Sequence, residues 1–324
     1  MSVLCLVEHD DEGVNDASLR ALSFARRLGD SSGESLIAMC VGAASDNSVQ
    51  VLGQYGVGEL YPVNGAPFES FAPVAWAKAL LELAAATSAS AVVAAGTDRG
   101  NEVMAHAGAL SGLTMVANCF EATRVDHETV HLTRQRWAGS LIEEARLEAT
   151  TALLTVAFDG VDAEATSEPT QVSVHPFAPH IDEGDVAVRV AHFRARDAGV
   201  SLADARVVVG GGRGVGSAEG FAAIEELATL LGGAVGVSRA VTSLGWRPHS
   251  QQVGQTGTRI TPDLYLVCGI SGATQHLAGC QSAKHVVAIN TDPDAPIIMR
   301  ADYAVIGDLN EIVPALVDAI RART

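Results

Sequence analysis

At 324 residues, with 48% hydrophobic and 18% charged residues, the chain is long enough for two domains that each bury a core. Its 21 basic and 38 acidic residues leave a formal charge of −17, which excludes a nucleic-acid binder or a protein drawn to anionic membrane and favours partners that are neutral or locally basic. Five cysteines without C-x-x-C spacing exclude the usual zinc arrangements, a strand directly after Met1 leaves no leader, and no apolar run approaches the ~20 residues of a membrane span, so a cytoplasmic protein that is not membrane-embedded is expected.

Ser2–Val7 reads as a strand, and residues 16–28 as an amphipathic helix, with Leu19, Leu22, Phe24, Ala25 and Leu28 near helical spacing. Strands over 36–41, 59–63 and 91–95 then alternate with helices over 49–55, 71–86 and 101–110. This rhythm predicts a doubly wound parallel sheet. Past Thr114 the helices stop. Strands over 115–122, 130–136, 143–148 and 152–157 predict an antiparallel or mixed β extension. Residues 159–179, rich in Asp, Glu, Ser, Thr and Pro, read as an exposed loop, and 186–192 as a short alternating strand. The first domain is therefore residues 1–193 and the linker residues 194–205 (RARDAGVSLADA), with a second domain over 206–324. Candidate sites in the first domain are sparse. Gly96-Thr97-Asp98-Arg99-Gly100 follows a strand where ligands bind in such sheets, but also where a plain turn with an N-cap belongs. His9, Asp10 and Asp11 are more readily solvated than metal-bound, and no metal is expected.

From Arg206 a second βα series begins. A strand over 206–209 runs into GGGRGVG (210–216), then Ser217 and a helix over 218–231. A G-x-G-x-x-G pattern from Gly210 would need glycine where Val215 stands; one from Gly212 would need it where Ser217 stands. The glycines thus mark only a tight strand-to-helix turn that admits close approach. Arg213 within it is placed for a phosphate or an electron-rich ring, or is simply a surface arginine. The strand Ala234–Val237 ends at Ser238-Arg239. A Gly-bracketed loop, 253–257, precedes a strand over 264–270, the turn Ser271-Gly272 and a helix over 273–279 bearing Gln275 and His276. A strand over 285–289 ends at Asn290, Asp292-Pro293-Asp294 forms a turn, Tyr303–Ile306 is the last strand, and Gly307-Asp308 caps a helix over 309–322. In a parallel sheet the loops after these strands share one rim. Six loops with hydrogen-bonding groups on one rim define a cofactor site.

GGRGVGS, SRA, QVGQTG, LYLVCGISGATQHLAG, VVAIN-DP-AP and ADY-VIGDL run in order through residues 206–320 and resemble the electron-transfer flavoprotein alpha-subunit family. The first domain resembles it more loosely, by its alternation and its opening strand. The resemblance implies a Rossmann-like second domain that holds FAD, and a heterodimer with a beta subunit. It implies an electron carrier rather than an enzyme, with no catalytic residue. Electrons would come from acyl-CoA dehydrogenase-type donors of fatty acid β-oxidation, or related flavin dehydrogenases, and pass to a quinone oxidoreductase of the respiratory chain. Arg213, Ser238, Val253, Gly254, Gln255 and Thr256 would hold the flavin and nearby phosphates. Ser271, Gly272, Ala273, Thr274, Gln275 and His276 would continue along the cofactor, and Asn290, Asp308 and Leu309 would take its adenosine end. Arg239 resembles the arginine over the isoalloxazine ring, Thr256 the residue near N5, and His276 the one at the O2 edge. A one-electron-reduced flavin carries negative charge near N1 and O2, which an arginine and an imidazole N–H stabilise. One charge-assisted hydrogen bond, about 1.5–3 kcal/mol, moves a one-electron potential by about 60–130 mV. Two departures bear on potential and partner: Thr242-Ser243 stands where the family commonly has an Asp, and Thr258 where a basic residue often follows. Alternatives are a subunit of an electron-bifurcating complex, or an NAD-linked dehydrogenase, which would require the glycine register this chain lacks.

Overall fold

Alternating all-apolar and amphipathic runs build two α/β units, Met1–Arg194 and Ala195–Thr324. The computed structural model describes residues 1–10, 13–137, 139, 141–157, 160–191, 201–203 and 205–323; Asp11 and most of 194–205 lie outside them.

The first unit comprises β1 (Ser2–Val7), β2 (His9–Asp10), β3 (Gly13–Val14), α1 (Asp16–Ser32), β4 (Ser35–Val41), α2 (Asp46–Gln54), β5 (Val57–Val63) and α3 (Pro73–Ala86). It continues with β6 (Ala89–Ala95), α4 (Asp98–Ser111), β7 (Met115–Asp126), β8 (Thr129–Arg136), β9 (Leu141–Glu148), β10 (Ala152–Val156) and β11 (Ser173–Val174). Its main sheet runs β11-β5-β4-β1-β6-β10-β7-β8-β9. Every pairing from β11 to β7 is parallel, and β7-β8-β9 is antiparallel, as expected of a doubly wound sheet with a β extension. β1 shows why the sheet is covered on both faces. Its six residues are all buried: Val3, Cys5 and Val7 join a core under α1, while Leu4 and Leu6 join one under α3 and α4. α1 begins where Asn15 accepts a hydrogen bond from the Ser18 amide and ends at left-handed Gly33.

Three features differ from the sequence reading. β10 does not extend the antiparallel meander; it returns to lie between β6 and β7, a central position that suits its five buried residues, whose side chains enter the cores on both faces. The 159–179 stretch is not a free loop but a strap along β5, with Thr166 N on Gln54 O (2.7 Å), Thr170 N on Gly53 O (2.9 Å) and His175 N on Leu60 O (2.8 Å); Asp159 is outside the described residues. The strand expected over 186–192 is absent among the described residues. Instead Glu183–Val186 makes a 3₁₀ turn with an Asp182–Asp185 capping box, held by Lys78 on both carboxylates, and His192 is outside the described residues.

The second unit is β12 (Val207–Gly211), α5 (Phe221–Leu230), β13 (Ala234–Val237), α6 (Arg239–Ser243), β14 (Leu264–Cys268), α7 (Thr274–Leu277), β15 (His285–Asn290), α8 (Pro296–Arg300), β16 (Tyr303–Ile306) and α9 (Leu309–Arg321). The sheet is wholly parallel, in the order β13-β12-β14-β15-β16. One face packs Phe221, Ile224 and Leu227 of α5 and Val313 and Val317 of α9 on Val209, Leu266 and Ile289. The other packs Val208, Tyr265 and Val286 under Val253, Ile260 and Ile297. Leu202 and Ala205, from the stretch read as linker, are buried in this second core. α8, unforeseen in the sequence, is five residues opened by Pro296, too short to show an apolar period. No helix among the described residues is long and apolar enough to cross a membrane.

Candidate functional site

β12 is flanked by β13 on one side and β14 on the other, so the chain crosses over β12 between them. Loops leaving the carboxyl ends of β12 and β14 diverge at such a switch point and leave a crevice. The glycine run after β12 exists for this junction. A β-carbon on Gly212 would strike the Gly269 carbonyl, and one on Gly214 would lie 2.8 Å from the Gly269 α-carbon. The turns after β12 and β14 therefore touch backbone to backbone where they leave their strands, and part only beyond that contact.

The crevice is a cavity of about 490 Å³. Arg213 borders it after β12, Ser238 and Arg239 after β13, and Asn290 after β15; Ser271, Ala273, Gln275 and His276 line it around α7. Val253, Gly254, Gln255 and Thr256 form a further wall. That loop is fixed at both ends: Val253 N donates to Val237 O (2.9 Å) and Gln255 N to Gln275 O (2.7 Å). Gly254 sits at φ +146°, where a side chain would be strained. Four expected residues are off the wall. Gly272 backs onto Ile297, and Thr274 opens α7 on the exposed side. Asp308 caps α9 by accepting from the Asn310 amide (2.9 Å). Leu309 is buried 2.6 Å from where a Gly269 β-carbon would be, and so supports the β14 turn from behind.

Two side chains give the wall its direction. Gln252 is 2% exposed; its Oε1 accepts from the Thr242 hydroxyl (2.7 Å), and its Nε2 donates to the Thr256 hydroxyl oxygen (3.0 Å). Thr256 therefore accepts from within the protein and keeps its own proton for the cavity. Thr242, in the stretch where an Asp was anticipated, is what holds Gln252. Gln252→Leu is expected to lose both bonds and lower stability by about 1–2 kcal/mol, read as an earlier urea midpoint.

His276 is 6% exposed, and burial pushes its pKa down to about 4 against a smaller opposing pull from the Val253 backbone. Its Nε2 lies 2.9 Å from the hydroxyl of fully buried Tyr265. Its Nδ1 has no partner of ordinary geometry and almost no surface open to the cavity; the Val253 backbone is the group beside it that favours the protonated ring. The unit's ion pairs lie elsewhere: Arg206 and Lys284 on Asp263, Arg247 on Glu225, Arg321 on Glu226. Arg213 and Arg239 pair with no carboxylate among the described residues, so two uncompensated cations face the cavity, with Asp292 toward its β15 side. Unpaired guanidiniums suit phosphate or an anionic ring.

Residues 3–180 match the family model of the electron transfer flavoprotein domain, and residues 201–281 that of the electron transfer flavoprotein FAD-binding domain. The chain belongs to the electron-transfer flavoprotein alpha-subunit family. The alpha subunit of Mycobacterium leprae is 35% identical over 99% of this chain and 98% of its own length. That of Thermoanaerobacterium thermosaccharolyticum is 33% identical over 94% and 93%. A Clostridium saccharobutylicum protein named FixB is 29% identical over 97% and 95%.

In this family member the FAD-domain match ends before Asn290 and Asp292, which the β15 turn nevertheless brings to the cavity. The sequence reading missed Gln252, Asp292 and Tyr265. Gln252 had one signal, a polar residue directly before the glycine-bracketed loop; Asp292 read only as a turn. In the first unit, Thr97 caps α4 through the Gly100 amide (2.8 Å) and also bonds the buried Glu8 carboxyl, whose pKa burial raises. The 96–100 stretch thus acts as a capped turn. Among the described residues no cluster of His, Cys, Asp and Glu could hold a metal.

Proposed function

We propose that this chain is the FAD-binding alpha subunit of a heterodimeric electron carrier. The observation that carries this reading is the single cavity shared by Arg239, Thr256 and His276 at the carboxyl edge of a parallel sheet. A bound flavin supplies one-electron chemistry. The protein's part is to bind and to tune. Arg213 neutralises phosphate, Arg239 supplies positive charge, and Thr256 and His276 offer hydrogen bonds at the ring's edge. Proton and acyl transfer have no obvious agent here. His276 is neutral at physiological pH, and burial raises the nearby Cys268 and Cys280 thiols to about 12, so neither is a nucleophile.

The partner is a beta subunit. Donors are acyl-CoA dehydrogenases or related flavin enzymes, and the acceptor is a quinone oxidoreductase. The five unpaired, buried cysteines favour a cytoplasmic setting. Co-expression with the beta subunit of the source organism should give a yellow complex carrying FAD on this chain, reduced by an acyl-CoA dehydrogenase and its substrate. A complex that stays colourless after FAD is added would end the cofactor claim. A flavin reduced by NADH alone would redirect the reading to a different donor.

A further inference from the structure

The buried amide of Gln252 stands between two hydroxyls, and the distances show which end faces which. Its Oε1 lies 2.7 Å from the Thr242 hydroxyl and its Nε2 3.0 Å from that of Thr256. Those are the ordinary separations for O–H···O and N–H···O; turned over, the amide would hold each contact at the edge of its range. The Thr242 hydroxyl also has the Arg239 carbonyl within reach, but at 3.0 Å, so the shorter contact takes its proton. The backbone of Gln252 is fixed as well. Its N–H donates to His249 O (2.9 Å), its carbonyl accepts from Thr258 N (2.7 Å), and a β-carbon on Gly257 would lie 2.3 Å from that carbonyl. At the far end of the chain, the Thr256 hydroxyl oxygen accepts from Gln252, and among the described residues no acceptor takes its proton. Thr256 is an exposed residue on the cavity wall, so that proton is left for whatever occupies the cavity.

We propose that Thr242 is a positioning residue that acts through Gln252, holding the amide in one sense so that Thr256 presents its hydroxyl to the cavity ligand as a donor. The proposal rests on the electron-carrier reading for the identity of that ligand, a flavin, but not for the sense of the amide. Without the Thr242 hydroxyl the buried Gln252 carbonyl loses its donor, and a half-turn of the amide lets it recover one from Thr256. Thr256 then gives its proton inward and offers the cavity a lone pair. The edge of an oxidised flavin carries acceptors, and an added electron makes them stronger, so a donor there favours reduction and a lone pair opposes it.

The test uses the full chain with its beta subunit, labelled with ¹⁵N at glutamine and ¹³C at the threonine and valine methyls. Loss of signals in Gln252→Leu assigns the side-chain amide. With or without flavin, the wild-type amide protons should give their strongest nuclear Overhauser contacts to Thr256, and in Thr242→Val these should move to residue 242. Thr242→Val and Thr256→Val should each shift the first-electron potential downward. The double variant should match Thr256→Val, since both act through one hydroxyl, and Thr242→Ser should keep the wild-type value. Wild-type amide protons lying against Thr242, or a Thr242→Val potential equal to wild type, would overturn the proposal. So would a Thr242→Val shift that persists in full beside Thr256→Val, because it would not pass through the hydroxyl. A preparation that takes up no flavin would instead sink the electron-carrier reading, while the amide contacts still decide the sense of Gln252.

Discussion

Replacing Arg239 with alanine should lower the midpoint potential of the first electron by about 60 mV while most of the flavin stays bound. Arg239 opens α6 directly after β13, and the turn is tied to β12 by Ser238 N on Gly211 O (3.1 Å). Its side chain borders both the main cavity and a smaller hollow of about 350 Å³ with Thr242 and His249. Because no described carboxylate pairs with it, removing it strands no buried charge, and stability should barely change. What changes is the field inside the cavity. A charge-assisted hydrogen bond of about 1.5–3 kcal/mol corresponds to about 60–130 mV for one electron, and solvent exposure of Arg239 favours the lower end. Arg239→Lys should recover only part of the loss, since a point charge does not cover a ring face as a planar guanidinium does. Arg247 serves as the contrast. It pairs with Glu225 (2.8 Å) and lies 4.7 Å over the Phe221 ring, so its loss should cost stability and leave the potential alone. Spectroelectrochemical titration measures both, and an unchanged potential in Arg239→Ala would remove that residue from the tuning role.

Why Arg239 was legible and Tyr265 was not is a matter of range. A residue just past a strand in a parallel sheet lies on the carboxyl rim whatever the tertiary details, so Arg213, Ser238, Arg239, Thr256 and Asn290 could be assigned to one edge from local periodicity alone. Tyr265 sits inside an apolar strand, and its hydroxyl is explained only by His276 in the helix that follows and by Gly210 on a strand more than fifty residues earlier. The glycine run shows the same limit. Its failure to fit a dinucleotide fingerprint was visible, but its purpose, room for the Gly269 backbone and the Tyr265 phenol, is a long-range contact. Asp308 errs the other way. Its capping of α9 was read correctly, yet a residue can follow a strand end and still turn its side chain back to its own helix, away from the cavity. β10 was misplaced because a run of buried residues states that two faces need covering, not which strands lie beside it, and the strap because its largely exposed residues are held along β5 by backbone hydrogen bonds that leave no periodic signal.

Acidification should weaken the second unit specifically through His276. Its folded pKa, about 4, lies below the ordinary histidine value of 6.5. Between those values the unfolded chain binds a proton that the folded chain refuses, so stability is full above about pH 6.5 and is lost as the pH falls toward 4. The linked loss is about 3 kcal/mol, at about 1.4 kcal/mol per pKa unit. Carboxylates with lowered pKa in the same unit, Asp263 beside Lys284 and Arg206 and Glu219 at its own backbone amide, act the same way but start from 3.8 and 4.5, below most of this window. Urea midpoints across the window should therefore slope downward with acid in the wild type and flatten in His276→Gln, whose amide does not titrate. Parallel profiles for the two proteins would mean that the ring is hydrated in solution and protonates freely.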